Sequence, residues 1–207
     1  MTHEPTVFVI DDDQIIRDSL ATLLSTAKIR TEMYSDALEF LDRFDPERAG
    51  CLLLDVRMPG MSGLELQRHL SKMEVPVTTI ILTGHADVSM AVGAMKTGAA
   101  DFIEKPFRAD DLIRRVREAM GKNLEARKQW NRNRELQVRV DTLTPREKTV
   151  LELIIEGNPT KTIASQLGTS FNTVRNQRTS IMRKMNTDSV VDLVRIMTEV
   201  GGQAEKN

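Results

Sequence analysis

The chain has 207 residues, of which 40% are hydrophobic and 29% are charged, and its formal net charge at pH 7 is −1. This length fits one large or two small domains of a soluble globular protein. The single cysteine, Cys51, excludes an intrachain disulfide, and no apolar run reaches the roughly 18 residues that a membrane span needs. The N-terminal stretch "MTHEPTVF" lacks the pattern of a secretory signal. We therefore expect a cytoplasmic protein without a membrane partner.

Charge is distributed unevenly along the chain. Residues 1–121 carry 14 Lys and Arg against 20 Asp and Glu, a balance of −6, whereas residues 122–207 carry 15 against 10, a balance of +5. This asymmetry predicts two domains with different partners. The basic residues between positions 160 and 187 have no acidic residue among them, as expected of a surface that faces a polyanion; they are Lys161, Arg175, Arg178, Arg183 and Lys184.

Short apolar runs alternate with helical patterns over the first 121 residues. The predicted strands lie at residues 7–10, 29–34, 51–55, 77–84 and 101–107. The predicted helices between them lie at residues 15–26, 36–44, 63–73 and 88–98. Strands of about five residues separated by helices are typical of a parallel sheet covered on both faces. We therefore predict an α/β domain with a doubly wound, flavodoxin-like, five-stranded parallel sheet.

A highly charged helical pattern follows over residues 110–141. One interpretation is a solvated linker helix; the alternative is a lever or dimer helix that uses Met120, Leu124, Trp130 and Leu136. Gly121 lies inside this pattern and costs about 1 kcal/mol relative to Ala, so the continuity of the helix stays open.

The last part of the chain is helical throughout. The predicted helices lie at residues 145–156, 160–167, 171–185 and 189–199. We accordingly divide the chain into an α/β domain at 1–121, a helical linker at 122–141 and a small all-α domain at 142–207.

Polar side chains follow the predicted strands at the points where these end. In an open parallel sheet of order 2-1-3-4-5, ligands bind beyond the carboxyl ends of the strands, between strands one and three. The residues at those ends are Asp11 and Asp12 after strand one, Asp55 after strand three, Thr83 after strand four and Lys105 after strand five. These groups are expected to share one crevice.

Phosphoryl transfer to a carboxylate is the chemistry that this group suits. Clustered carboxylates are ligands for Mg²⁺, and a lysine supplies a further positive charge for an incoming phosphoryl group. One carboxylate must act as the nucleophile. We choose Asp55 because it stands singly at its strand end, which leaves Asp11 and Asp12 as metal ligands. Asp13 is interpreted as an exposed carboxylate at the start of the next helix, where the helix dipole favours it, and direct ligation of the metal is the alternative.

Two helices in the last part of the chain, "TKTIASQLG" and "SFNTVRNQRTSIMRKM", are joined by a tight turn at Gly168, as in a helix-turn-helix. Val174, Ile181 and Met185 fall on one face of the second helix. The other face mixes cations with amides that can read base edges: Asn172, Arg175, Asn176, Thr179 and Arg183. Lys161 and Arg178 complete the predicted DNA-binding set.

Residues 5–121 resemble the receiver domain of two-component response regulators in the ordered motifs "DDDQ", "LLLDVRMPGMSG", "ILTGHAD" and "FIEKPF". The resemblance implies an acidic pair at Asp11 and Asp12, a phosphoacceptor at Asp55, and a further Mg²⁺ ligand in the main-chain carbonyl of Arg57. It also implies switch residues at Thr83 and Lys105 and a cis peptide bond between Lys105 and Pro106.

Two aromatic side chains within these motifs have open roles. Phe102 stands where the family carries a switch aromatic, and an ordinary core position in strand five is the alternative. His85 is interpreted either as a residue that tunes the loss of phosphate or as an exposed loop residue.

Residues 143–197 are similar to the LuxR-type DNA-binding domain in the motifs "LTPRE", "IAxxL", "TVxxxR" and "IxxKM". Gln177 departs from the family, many of whose members have histidine there, which puts one backbone or phosphate contact in doubt. Receiver and LuxR-type domains together are the architecture of the FixJ/NarL group. The last helix displays Val190, Val191, Leu193 and Val194, some of which can form a dimer face.

The resemblance implies a non-enzymatic transcription factor that a sensor histidine kinase phosphorylates. Its expected partners are double-stranded DNA with an inverted repeat, a second copy of the chain after phosphorylation, and RNA polymerase. Two alternatives remain: an Asp-nucleophile phosphatase, although Arg57 occupies the place of its acid/base carboxylate, and a receiver whose output domain binds protein or RNA.

Overall fold

The structure is a computed structural model that describes residues 4–73, 75–84 and 93–204, with side chains described as far as residue 198. The chain forms two compact units, Met1–Trp130 and Asn131–Asn207, called here the N-terminal and C-terminal units. Among the described residues, no helix has both the length and the apolar character needed to cross a membrane.

The N-terminal unit contains one five-stranded parallel sheet with the strand order β2-β1-β3-β4-β5, which confirms the predicted topology. The strands are β1 (Thr6–Ile10), β2 (Thr31–Tyr34), β3 (Gly50–Asp55), β4 (Thr78–Thr83) and β5 (Asp101–Glu104). All residues of β1 and β3 are buried. Strands that are apolar on both faces require helices on both sides of the sheet.

Helices cover both faces of this sheet. The helices whose full range is described in the N-terminal unit are α1 (Gln14–Thr26), α2 (Ala37–Arg43), α3 (Gly63–Ser71) and the first part of α4 (Ala109–Asp141). One core cluster joins Phe8 and Ile10 of β1 to Phe40 of α2, and the other joins Val7 and Val9 to α1. Of the predicted helix at 88–98, residues 93–96 are helical. Residues 88–92 and His85 lie outside the described residues.

The sheet begins with a close approach between β1 and β3. Gly50 pairs with Thr6 and has a φ of +153°. A Cβ atom at Gly50 would lie 1.8 Å from the main-chain oxygen of Thr6, so no side chain fits there.

The long helix α4 runs without a break through Gly121 and reaches Asp141. Asn123 and Arg127 on this helix are buried against the N-terminal unit. The Asn123 side chain accepts a hydrogen bond from Gly50 N at 2.9 Å and donates one to Pro76 O at 2.9 Å. Arg127 donates to Asn123 Oδ1 at 3.2 Å and to Pro46 O at 2.6 Å. The interpretation of this segment as a solvated linker is therefore wrong at these two positions.

Four helices form the C-terminal unit together with the end of α4. They are α5 (Pro145–Ile155), α6 (Thr160–Gln166), α7 (Phe171–Met185) and α8 (Val190–Ala204). Their core consists of aliphatic residues and methionines and includes Val174, Ile181 and Met185, which confirms the predicted inner face of α7. Helix α8 extends five residues past the predicted end at 199. Its glycines lower helix propensity but keep their backbone N–H donors, so they do not end the helix.

A buried carboxylate connects α5 to α7. Glu147 closes a capping box with Thr144 at the start of α5. It also accepts hydrogen bonds from Ser180 Oγ and Lys184 Nζ, both at 2.6 Å. These bonds, first those from Lys184 and Ser180, lower the pKa of Glu147 to about 2. Lys184, counted among the polyanion-facing cations from sequence, is thus an internal partner of Glu147.

Candidate functional site

Two carboxylates meet at the carboxyl edge of the sheet. Asp11 directly follows β1 and is buried, and Asp55 is the last residue of β3 and is also buried. Lys105 Nζ lies 2.7 Å from Asp11 Oδ2 and 2.7 Å from Asp55 Oδ1. One ammonium group therefore bridges two side chains that repel each other, which balances part of their charge.

Main-chain amides hold the remaining oxygens of both carboxylates. Asp11 Oδ1 accepts a hydrogen bond from Asp13 N at 3.0 Å, and Asp55 Oδ2 accepts one from Arg57 N at 2.6 Å. Asp13 is exposed and caps α1 by accepting from Ile15 N at 2.8 Å, which confirms its predicted place at the start of that helix.

Strand order places Lys105 next to Thr83. Lys105 N donates to the main-chain oxygen of Thr83 at 2.7 Å, and Thr83 is the buried last residue of β4. The Lys105–Pro106 peptide bond is cis, as expected. Burial alone would lower the pKa of Lys105, but its hydrogen bonds to Asp11 and Asp55 outweigh this effect and raise that pKa. Lys105 therefore remains a cation at this edge.

The start of α3 packs against the main chain of Asp55 and Val56. Gly63 N donates to the main-chain oxygen of Val56 at 3.0 Å, and a Cβ atom at Gly63 would lie 2.0 Å from the main-chain oxygen of Asp55. Ser62 and Glu65 form a capping box at the start of this helix. The glycine allows the helix to begin directly against the strand end that carries Asp55.

Arg17 is a neighbour of the site that the sequence did not single out. Its Nη1 donates to the main-chain oxygen of Asp11 at 2.6 Å, and its Nη2 donates to Gln14 Oε1. Its place one turn after Gln14 on the helix that follows "DDDQ" brings these two side chains to the same face, but this spacing does not indicate the contact with Asp11.

The structure brings together some of the predicted site residues and not others. Asp12 and Arg57 are exposed, and Phe102 is half-buried and packs against the first core cluster. No three His, Cys, Asp or Glu side chains in the described part of the chain are close enough to hold a metal ion. The paired carboxylates Asp11 and Asp55 nevertheless offer the hard oxygen donors that Mg²⁺ prefers, so the donor chemistry fits that ion.

The outer surface of α7 is the second candidate site. Most of the predicted DNA-binding side chains are exposed, namely Lys161, Asn172, Arg175, Asn176, Thr179 and Arg183, while Arg178 is half-buried. Arg175, Arg178 and Arg183 line a groove of about 580 Å³ that Thr160, at the start of α6, also borders. The oxygen of the Gln177 side chain is buried and has no hydrogen-bond partner among the described residues.

Comparison with known proteins identifies the family. The family model described as "Response regulator receiver domain" matches residues 7–117. The chain belongs to the response regulators. In this response regulator, the family model "Bacterial regulatory proteins, luxR family" matches residues 141–197 and so covers the helix-turn-helix.

Relatives of similar length support the same assignment. The response regulator is 43% identical to the transcriptional regulatory protein FixJ of Azorhizobium caulinodans over 94% of this chain and 92% of that protein. It is 38% identical to the response regulator protein TodT of Pseudomonas putida F1 over 92% of this chain and 84% of that protein. These matches and the two family models make the chain a phosphorylation-dependent transcriptional regulator with a LuxR-type DNA-binding domain.

Solved structures agree with this architecture. Superposition of this chain on the response regulator StyR gives a TM-score of 0.80 at 40% sequence identity, and the match covers 95% of this chain and all of that one. Full-length FixJ from B. japonicum has a TM-score of 0.57 and 38% identity, and the match covers 97% of this chain and 98% of that one.

Proposed function

We propose that Asp55 accepts a phosphoryl group from the histidine of a sensor kinase. The observation that carries this proposal is the position of Lys105 Nζ, 2.7 Å from both Asp11 and Asp55 at the carboxyl edge of the sheet. The Asp55 side chain is 11% exposed and that of Asp11 is 3% exposed, so Asp55 is the more accessible of the two to a donor.

The transfer replaces one bond to phosphorus by another. A carboxylate oxygen of Asp55 forms the new bond to phosphorus while the bond to the kinase imidazole breaks. Lys105 then pairs with a phosphoryl oxygen, and the Thr83 hydroxyl donates a hydrogen bond to another. Mg²⁺ would be held by Asp11, Asp12, Asp55 and the Arg57 carbonyl, and when bound it offsets the phosphoryl charge.

Phosphorylation changes the affinity for DNA through Thr83 and Phe102 in this proposal. Thr83 ends β4, and Phe102 on the neighbouring strand β5 pairs with Ile81, two residues before Thr83, so a shift of Thr83 is passed to Phe102 along β4. The phosphorylated chains pair, and two C-terminal units then bind an inverted repeat. RNA polymerase is the further partner of the dimer. Because the ligand is chromosomal DNA, we assign the protein to the cytoplasm.

The proposed DNA contacts divide by chemistry. Lys161, Arg178 and Arg183 bind phosphates, whereas Arg175, Asn172, Asn176 and Thr179 read base edges in the major groove. The proposed functional division follows the predicted domains, with a receiver at 1–121, a helical linker at 122–141 and the DNA-binding domain at 142–207, except that the buried Asn123 and Arg127 at the start of the linker belong to the receiver.

We also propose that the protein does not turn over phosphate esters as an enzyme. The position two residues after Asp55 is Arg57, and its main-chain amide donates to Asp55 Oδ2. An Asp-nucleophile phosphatase generally needs an acid/base carboxylate at this position. The chain is therefore expected to lose only its own phosphate, and multiple turnover of a small phosphomonoester would contradict this part.

Selection of bound DNA from random sequence tests the proposed function. The full chain is compared with and without Mg²⁺ and beryllium fluoride, a phosphate mimic. Wild type should enrich one sequence far more strongly with the mimic, and Asp55→Asn should not respond to it. Asp13→Asn is the matched control, since asparagine caps a helix as well as aspartate does.

Two results would contradict the proposal at different steps. Enrichment by Asp55→Asn that rises with the mimic as in wild type would contradict the role of Asp55. A failure of every form to enrich any sequence would contradict the DNA-binding step.

A further inference from the structure

Phe171 is an aromatic residue that the core of its unit does not use. It is the only Phe, Tyr or Trp in residues 131–207. The core cluster of this unit consists of aliphatic residues and methionines, and Phe171 is neither a member nor one of the partly buried residues packed against it. Its exposure is 52%. About half of its surface is therefore accessible to a ligand.

The place of Phe171 determines what can reach it. It is the first residue of α7, and Ser170 caps the helix by accepting a hydrogen bond from Thr173 N at 3.0 Å. Arg175 lies four residues later and Thr179 eight residues later, so the three side chains follow one stripe along the helix. Arg175 and Thr179 both line the groove described above. In a helix-turn-helix, the N-terminal residues of the second helix are those that contact base edges.

We propose that Phe171 recognises the C5-methyl group of a thymine in the target DNA and thereby sets one base of the preferred sequence. The phenyl ring can neither donate nor accept the hydrogen bonds that distinguish the other base edges. The thymine methyl is the apolar group that a base pair presents in the major groove, and phenylalanine is among the side chains that contact it. This inference rests on the DNA-binding function and adds a specificity residue to the predicted polar set.

The size of the effect follows from the area of one methyl group. Burial of one methyl group contributes about as much as a methylene, which corresponds to about a fourfold change in affinity. The neighbouring cations provide affinity that does not depend on sequence. Loss of the ring should therefore remove a preference at one base position and leave most of the total affinity.

The experiment uses the full chain with Mg²⁺ and beryllium fluoride and selects sequences from a random DNA pool. Wild type, Phe171→Ser and Phe171→Leu are compared. Val138→Ala is the matched control, because Val138 is 61% exposed on the same unit and lies outside α7. We expect the wild-type site to contain a thymine whose preference disappears in Phe171→Ser, persists partly in Phe171→Leu and is unchanged in Val138→Ala.

Deoxyuridine then tests the contact itself, because it lacks only the methyl group. Replacing the selected thymine by deoxyuridine should weaken wild-type binding about fourfold and leave Phe171→Ser unaffected. Phe171→Ser should keep the wild-type melting temperature and the wild-type affinity for a duplex of unrelated sequence at low salt. A purely structural role would lower both.

Three outcomes would overturn the inference. The first is the same thymine preference in wild type and Phe171→Ser. The second is an equal effect of deoxyuridine on both proteins. Each of these two results would mean that Phe171 contacts another protein or only solvent. A wild type that enriches no sequence would remove the DNA-binding function as well. The first two results would leave that function intact.

Discussion

Glu147 shows how a single side chain can stabilise the helix-turn-helix. It caps the start of α5 and accepts hydrogen bonds from Ser180 and Lys184 on α7, so one carboxylate joins two helices. The exposed fraction of its side chain is 8%, which leaves little water to replace these bonds. A neutral amide of the same shape keeps the size of Glu147 but loses the charge that faces Lys184.

We expect Glu147→Gln to lower the free energy of unfolding of the C-terminal unit by about 2 kcal/mol at pH 7, the order of a charge-assisted hydrogen bond. The pKa of Glu147 is about 2 in the folded chain, below its ordinary value of 4.5. Its contribution is therefore complete above pH 4.5 and is lost as the pH falls towards 2. Urea denaturation followed by circular dichroism should show the difference between wild type and variant shrinking over this range.

Glu152→Gln is the control for this prediction, because Glu152 is exposed on the same helix. It should change the free energy of unfolding by less than about 0.5 kcal/mol. A difference between wild type and Glu147→Gln that stays constant down to pH 2 would show that the charge of Glu147 is not the cause.

The sequence predicted the convergence of the site better than its details. Asp11, Asp55 and Lys105 meet because parallel strands end at one edge of a sheet, and this edge can be inferred from the order of motifs. The bridging position of Lys105 Nζ and the contact of Arg17 with Asp11 depend on side-chain rotamers, which no sequence pattern encodes. Asp12 remained exposed because it lies one residue beyond the buried strand end.

At the scale of elements, two predicted helix starts coincide with capping boxes. The capping boxes at Ser62 and Thr144 place the starts of α3 and α5 at the predicted residues. The burial of Asn123 and Arg127 was not predictable, because two polar residues in a highly charged helix give no apolar period. Their partners are main-chain groups of distant segments.

We expect Asn123→Ala to lower the free energy of unfolding of the N-terminal unit by about 2 kcal/mol. The substitution leaves the buried Gly50 N without its hydrogen-bond acceptor, and an unsatisfied buried donor costs about 1–3 kcal/mol. Urea denaturation followed by Trp130 fluorescence measures the effect. Glu125→Ala on the same helix, where the side chain is 74% exposed, should change this free energy by less than about 0.5 kcal/mol.

A substitution at Gly121 is expected to stabilise the chain rather than destabilise it. It lies inside the continuous helix α4, and a Cβ atom there would meet nothing within 4 Å. Gly121→Ala should therefore raise the free energy of unfolding by about 0.5–1 kcal/mol through helix propensity. A lower melting temperature in this variant would mean that the helix is not continuous in solution.

At the scale of the whole molecule, the net charge of −1 conceals an acidic first part and a basic last part. The basic groove on α7 should give a steep salt dependence of DNA binding, because each phosphate contact releases counterions. The acidic part contributes nothing to that release. Charge asymmetry predicted this division, whereas composition alone could not show which cations, such as Lys184, are used internally.

We expect Arg178→Gln to make the plot of log affinity against log salt less steep by about 0.9 for each copy bound. Arg178 lines the groove on α7, so its charge is lost from the DNA contact. Fluorescence anisotropy at graded salt measures the slope. Lys72→Gln removes an equal charge from an exposed position in the N-terminal unit and should leave the slope unchanged; equal slopes for all three proteins would contradict the assignment.

The buried pair on α4 also determines where the gene could be joined to another output domain. The receiver family model ends at residue 117. Asn123 and Arg127 nevertheless form hydrogen bonds with Gly50, the first residue of β3, and with Pro46 before it. A fusion junction before residue 127 would remove hydrogen bonds that belong to the receiver. Exchange of output domains, by recombination or by design, should therefore preserve receiver stability only when the junction follows Arg127.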